Sequence, residues 1–282
     1  MEIGLFGVNS GALVTGAAVA QVARRAEELG YHSVWAGEHM VVPTPRVPPS
    51  PMEPTDPILD PLVALSWAGA VTTRLQLGTG VLLLPQRHPV QLAKEIASLD
   101  ALSGGRLLVG VGVAYLEPEM RALGAPMAGR GRRSMEHLAA MQALWTQDAP
   151  SFAGEFVSFA GVDAHPRPVD RARGPRIVMG GHGAAAYERS ARYADEWYGF
   201  ALSPEAAAES VAGLGRAVER FGLQRAQGGL VVSVTPNVRL TPASVQQYAR
   251  AGVHRLIPML SGRTLDRALA DVEAFAPAVL LG

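Results

Sequence analysis

The stretch from Leu75 to Glu119, LQLGTGVLLLPQRHPVQLAKEIASLDALSGGRLLVGVGVAYLEPE, constrains the fold of this chain more than any other. Residues 75–77 and 107–109 are short apolar runs without polar alternation, the pattern of strands buried on both faces. Between them Pro89 stands where a helix would begin, and Leu92, Ile96 and Leu99 share one helical face. Each strand closes on glycines, Gly78 and Gly80 in the first and Gly110 and Gly112 in the second. In a parallel α/β protein that end is where backbone comes close to a ligand. The stretch predicts a strand–helix–strand unit and the end of it that binds.

The same rhythm runs through the chain. Eight strands are expected, at residues 3–7, 33–36, 75–79, 107–111, 176–179, 197–201, 229–234 and 255–259. Helical faces lie between them. Val19, Val22, Ala26 and Leu29 make one, stopped by Gly30. Met135, Leu138, Met141 and Leu144 make another. Ala207, Val211, Leu214 and Val218 make a third, closed by Gly222, and Leu265, Leu269 and Val272 the last. Eight alternations in 282 residues predict an α/β fold, a (β/α)₈ TIM barrel forming a single domain over 1–282. A doubly wound open sheet is the alternative. The first turn, Gly7-Val8-Asn9-Ser10-Gly11, lacks the GxGxxG spacing such a sheet would use for a dinucleotide. Two long loops interrupt the rhythm. Residues 42–61, after strand 2, contain eight prolines and read as a lid or pocket wall. Residues 151–174, in the insertion after strand 4, read as a short hairpin and an extended return.

Composition narrows the function. Lys and Arg number 25, as do Asp and Glu, so nothing favours nucleic acid or an anionic membrane. With no cysteine, disulfides, thiolate catalysis and Cys-ligated metal are excluded. The N-terminus lacks the basic and apolar regions of a signal peptide, and no run is long enough to span a bilayer, so a soluble cytoplasmic protein is expected. No His, Asp and Glu set has metal-ligand spacing, so no metal is expected. No GxSxG supports a serine nucleophile.

Four strand ends carry the candidate chemistry. Strand 2 ends in Glu38-His39; His titrates near neutral pH and a carboxylate beside it can orient or charge it, although both could serve as loop caps. Strand 3 ends in Thr79-Gly80-Val81, either a bulge under a flat ring or a plain turn. Strand 4 ends in Gly112-Val113-Ala114, with the same two readings. Strand 5 ends in Gly180-Gly181-His182-Gly183 and opens a helix through residues 184–194, leaving N–H groups free for a phosphate; His182 and Arg189 could add a donor or charge. His88 reads as a helix cap, His137 and His165 as packing or surface residues, and His254 as structural.

The segments EELGYHSVWAGEH, LGTGVLLLPQRHPVQLAKEIASLDALSGGRLLVGVG and GPRIVMGGHGAAAYERSARYADEW together resemble the luciferase-like monooxygenase superfamily. The nearest group is its actinobacterial oxidoreductases that use the deazaflavin coenzyme F420. The resemblance spans nearly the whole chain. It implies a barrel with an insertion after strand 4 and a cofactor ring across the C-terminal face. It implies an acid–His pair at Glu38 and His39, the His acting near the ring. It implies a non-proline cis peptide at Gly80–Val81, a ring-contacting turn at Gly112, Val113 and Ala114, and phosphate held at Gly180, Gly181 and His182. A homodimer is expected on the same ground. The chain departs from the family pattern with Glu38 for Asp, Ala114 for Gly or Ser, and Glu196 for Gly.

The expected function is hydride transfer between F420 and a small organic substrate. FMN-dependent monooxygenation with O2 is the alternative, and a catalytically silent cofactor-binding barrel the third reading. Met40, Val81 and Leu83 suggest an apolar pocket wall, shaped further by residues 115–120 and the proline-rich loop.

Overall fold

The computed structural model describes residues 1–221, 223, 229–261 and 263–282. Eight strands run parallel: β1 (Glu2–Phe6), β2 (Ser33–Ala36), β3 (Gln76–Thr79), β4 (Leu107–Gly112), β5 (Arg176–Gly180), β6 (Glu196–Leu202), β7 (Val231–Pro236) and β8 (Arg255–Leu256). Neighbours in sequence pair throughout. β3 meets β4 through Leu77 and Leu107, and β8 meets β1 through Arg255 and Glu2, which closes the ring. The result is a (β/α)₈ barrel, and the closure excludes the open doubly wound sheet.

The helices around it are α1 (Gly16–Glu28), α2 (Pro61–Ala70), α3 (Pro89–Ser103), α4 (Glu117–Ala122), α5 (Arg130–Thr146), α6 (Ala184–Tyr193), α7 (Pro204–Phe221), α8 (Pro242–Arg250), α9 (Leu265–Ala274) and α10 (Pro277–Leu281). Proline at the first turn opens several of them, where a missing N–H costs nothing. The insertion after β4 carries α4 and, beyond α5, a hairpin pairing Phe152–Ala153 with Ser158–Phe159. The stop expected at Gly222 lies outside the described residues. Among the described residues no helix is long and apolar enough to cross a membrane.

Two strands differ from expectation by more than one residue at an end. Strand 8 was predicted to 259, but regular pairing stops at Leu256, followed only by a bridge from Phe6 to Met259. Pro258 between them has no N–H to give to the ladder. Strand 7 begins at Val231 and not at 229, because Gly229 lies at φ +105 outside the extended region.

The large core lies between the barrel and its helices. A second cluster fills the barrel: Trp35, Leu108, Val178, Tyr198 and Ile257, with Phe6 and Val81 packed on it. Trp35 and Tyr198 stack with centroids 5.6 Å apart. At the N-terminal floor Arg255, 1% exposed, lies inside the barrel. Its Nη1 donates to Glu196 Oε2 at 2.6 Å and its Nε to Glu2 Oε2 at 2.8 Å. The unusual Glu196 is therefore the counter-ion of a buried arginine. Plug and floor fill the barrel's interior, which leaves its C-terminal mouth as the end where a ligand could enter the barrel.

Candidate active site

The mouth is organised by the end of β3. The Gly80–Val81 peptide is cis. The chain then runs through Leu82 and Leu83, which pair with Val111 and Gly112 at the end of β4. This places Val81 over the aromatic plug, beside Gly112 and Gly180. Gly110 is required here: a Cβ on it would lie 1.7 Å from the Thr79 carbonyl oxygen. Thr79 is fully buried and its hydroxyl donates to the Gly110 carbonyl at 2.8 Å. Its side chain braces β3 against β4.

Glu38 and His39 diverge, as successive residues on an extended chain must. Glu38 turns inward, accepts from Leu83 N–H at 2.6 Å and from Arg87 Nε at 2.6 Å. Arg87 also donates to Asp60 Oδ2 at 2.6 Å, and Asp60 caps α2 through Leu62 N–H. Burial pushes the Glu38 carboxyl up, while the Arg87 charge and the Leu83 N–H pull it down. The Arg87 guanidinium is itself held above its ordinary value by the Glu38 and Asp60 carboxylates, against its burial. The structure therefore joins Glu38 to Arg87, and not to His39.

The carboxylate that orients His39 comes from α4. Glu119 is 1% exposed; its Oε2 lies 2.9 Å from His39 Nδ1 and its Oε1 accepts from Met40 N–H at 2.6 Å. A carboxylate only accepts, so Nδ1 carries a proton and Nε2 faces the mouth. There Nε2 meets the Tyr115 hydroxyl at 3.2 Å. Ala114, just before Tyr115, takes φ +63, and packs with Leu83 and Met120 in a small buried cluster. Val113 is half-buried and Gly112 buried beside Val81.

The turn after β5 forms the opposite end of the site. Gly183 precedes α6 at φ +85, no side chain caps the helix, and a Cβ on Gly183 would meet nothing within 4 Å. The helix start is thus uncapped by any side chain and open at Gly183, a setting that favours an anion. Gly181 accepts from Trp197 Nε1 at 2.9 Å. The His182 ring stands edge-on to Trp197 and bonds the Phe200 backbone. Burial lowers its pKa, which keeps the ring neutral. Arg189 adds charge: among the described residues its buried Nε has no partner. Burial and the neighbouring Arg130 lower this guanidinium's pKa, with Glu188 opposing them. Arg130 in turn donates to the Ala114 carbonyl at 3.2 Å, linking this end to the β4 turn.

Apolar groups line the β6 and β8 side. Phe200, 41% exposed, packs against Phe6 with centroids 5.4 Å apart, and Met259 is exposed nearby in sequence to β8. Ala201 follows at φ +56, and the β6–β7 register shifts between Val234 and Pro236. Such a bulge re-aims a side chain. Met40 is exposed, as expected, but Leu83 is buried under Ala114 and Met120 and contributes no open wall. The proline-rich loop borders a cavity of about 740 Å³ with Gly7, Ser10, Asp56 and Arg263 in its lining. Asn9 anchors that loop by donating to the Gly37 and Leu59 carbonyls.

The other histidines are placed as structural groups. His88 precedes α3 without a capping bond. His137 bonds the Leu84 carbonyl at 3.0 Å, His165 faces Asp163, and His254 accepts from Val232 N–H. The residues that sequence reasoning missed are Glu119 as the partner of His39, and Arg87 and Arg130. Tyr115 and Glu119 stand four apart beyond a glycine-rich strand end, which a barrel places beside the end of strand 2; that spacing was the available signal.

A family model described as luciferase-like monooxygenase matches residues 1–276. The chain belongs to the luciferase-like monooxygenase family. Within that family, an uncharacterised protein of Mycobacterium tuberculosis is 35% identical over 269 residues, 91% of this chain and 92% of its own. The FMNH(2)-dependent dimethylsulfone monooxygenase of Pseudomonas putida is 32% identical over 191 residues, 67% of this chain and 50% of its own. Among solved structures, an F420-dependent secondary alcohol dehydrogenase in complex with an F420–acetone adduct superposes with a TM-score of 0.79 at 15% identity, covering 99% of this chain and 98% of its own. At that identity the superposition speaks for the fold.

Proposed function

We propose that this luciferase-like protein is an oxidoreductase that moves a hydride between coenzyme F420 and a small apolar organic substrate. The observation that carries the reading is His39, fixed by buried Glu119 with its Nε2 turned to the mouth. Hydride transfer at an oxygen-bearing carbon needs a proton partner, and this imidazole is built to hold or move one. The fold-level likeness to an F420-dependent alcohol dehydrogenase supports the deazaflavin.

The residues present fit such a cofactor. Arg189, whose buried Nε has no partner among the described residues, the Arg130 guanidinium and the first turn of α6 would hold the phosphate. Val81, Gly112 and Val113 would support the ring, and Phe200 and Met259 the substrate's apolar part. When bound, a deazaflavin supplies or takes a hydride. The chain's own work is to orient the reactants, exclude water from the aromatic plug side and manage the proton at His39 Nε2.

The Pseudomonas putida relative supports a second reading, monooxygenation with reduced FMN. Equilibrium titration of the purified protein with F420 and with FMN separates the two. The deazaflavin reading expects tight binding of F420 and turnover without oxygen uptake. Binding of FMN alone, with oxygen consumed, would overturn it.

A further inference from the structure

The mouth holds a phenol that the reading above leaves idle. Both nitrogens of His39 are engaged, Nδ1 by Glu119 and Nε2 by the Tyr115 hydroxyl. The His39 side chain is only 11% exposed, whereas Tyr115 is 46% exposed. The two rings meet edge-on, at 89° with centroids 5.9 Å apart. The solvent-facing end of the hydrogen-bonded chain is thus the phenol and not the imidazole.

We propose that Tyr115 is the residue that exchanges the proton with the substrate oxygen, with His39 and Glu119 acting behind it as positioning and relay groups. The proposal rests on the hydride-transfer reading. A substrate oxygen entering the mouth meets the exposed hydroxyl before the covered Nε2. The backbone is shaped to aim it: Ala114 holds a left-handed conformation that an L-residue keeps only where its surroundings enforce it, here Leu83 and Met120. Burial, and then the Glu119 charge, push the Tyr115 phenol up. It therefore stays protonated at neutral pH, the state a donor needs.

In the reducing direction the step balances as follows for a carbonyl substrate. When bound, a reduced deazaflavin would supply the hydride for the new C–H bond, and the C=O π pair would move onto oxygen. That oxygen takes the proton from the Tyr115 hydroxyl. The phenolate regains its proton from solvent by way of His39 Nε2, with Nδ1–H still on Glu119. The alcohol would leave carrying the transferred hydride and the Tyr115 proton, and the one proton taken from solvent restores the starting state. Alcohol oxidation is the reverse.

Two measurements test this. In cofactor-free protein, absorbance at 295 nm is titrated with pH, and wild type minus Tyr115→Phe isolates the Tyr115 ionisation. The subtraction removes the signal of the other tyrosines, of which burial pushes Tyr31, Tyr198 and Tyr248 up as well. Glu119→Gln, made in both backgrounds, is expected to lower the Tyr115 midpoint by roughly 1 pH unit, because a nearby negative charge is removed. In the loaded enzyme Tyr115→Phe is expected to lower kcat by about 100-fold or more, with F420 affinity changed less than about 2-fold. A midpoint unmoved by Glu119→Gln, or a Tyr115→Phe enzyme that binds F420 and turns over within about 3-fold of wild type, overturns the proposal. If the wild type fails to bind F420, the hydride-transfer reading falls, while the absorbance titration still decides whether the phenol is coupled to Glu119.

Discussion

Neighbouring side chains at the end of β2 do two different jobs because the extended chain sends them to opposite sides. Glu38 goes inward and becomes one corner of an ion-pair junction with Arg87 and Asp60 that ties β2, the β3 end and α2 together. Breaking such a junction from one side strands a buried charge. Arg87→Met is expected to cost about 3–5 kcal/mol of stability in urea unfolding. Glu38→Gln should cost less, since an amide oxygen still accepts from Leu83 N–H and no charge is left bare. Equal costs would contradict the ion-pair account. The candidate site was half legible at this scale. His39 stood out because barrel chemistry gathers at strand ends. Its true partner did not, because Glu119 is 80 residues away in sequence and only the β2–β3–β4 pairing brings the two strand ends together.

At the scale of elements, amphipathic helices such as α1 and α5 could be read from their apolar spacing, but α2 could not. Its sequence, PLVALSWAGA, is apolar on every side, so there is no periodic face to detect. Helices α4 and α10 were missed because they are short, six and five residues. Strand 6 shows the reverse case, where a residue that looked out of place fits once its partner is seen. Glu196 at the start of β6 is fully buried and pairs with Arg255 at the start of β8. Arg176 reaches the same carboxylate. Glu196→Gln is expected to destabilise the fold by about 2–4 kcal/mol, and Arg255→Met by a similar amount. Made together, they should cost clearly less than the sum, a coupling that a double-mutant cycle in urea would read. Additive costs would mean that the two side chains do not sense each other.

For the molecule as a whole, the (β/α)₈ architecture was readable because eight strand–helix alternations leave few other closed solutions. The sequence pointed to the C-terminal end as the one that binds; what it could not give was what fills the barrel beneath that end, a packed aromatic plug and a charged floor. The floor also sets an acid response. His32 sits beside it, facing Glu2 at 3.3 Å. Burial and then the Arg255 charge push its pKa down to about 4, against the pull of Glu2, from an ordinary value of 6.5. As pH falls, the unfolded chain takes up this proton first, so the fold loses stability between about 6.5 and about 4. The stabilisation is fully present above that window. The expected loss is about 1–3 kcal/mol, and His32→Gln should flatten the slope of stability against pH over that range. An unchanged slope would remove His32 as its source.

At the other end, the mouth carries an oriented imidazole and the uncapped first turn of α6, and the account stands or falls on what binds across them. Thermal unfolding of the purified protein with F420, and separately with FMN, tests this most directly. At about 100 times its Kd a ligand adds about 2.7 kcal/mol to stability. The account predicts a clear upward shift with F420, much reduced in Arg189→Gln, and little shift with FMN. A shift with FMN alone, or none with either, would contradict it.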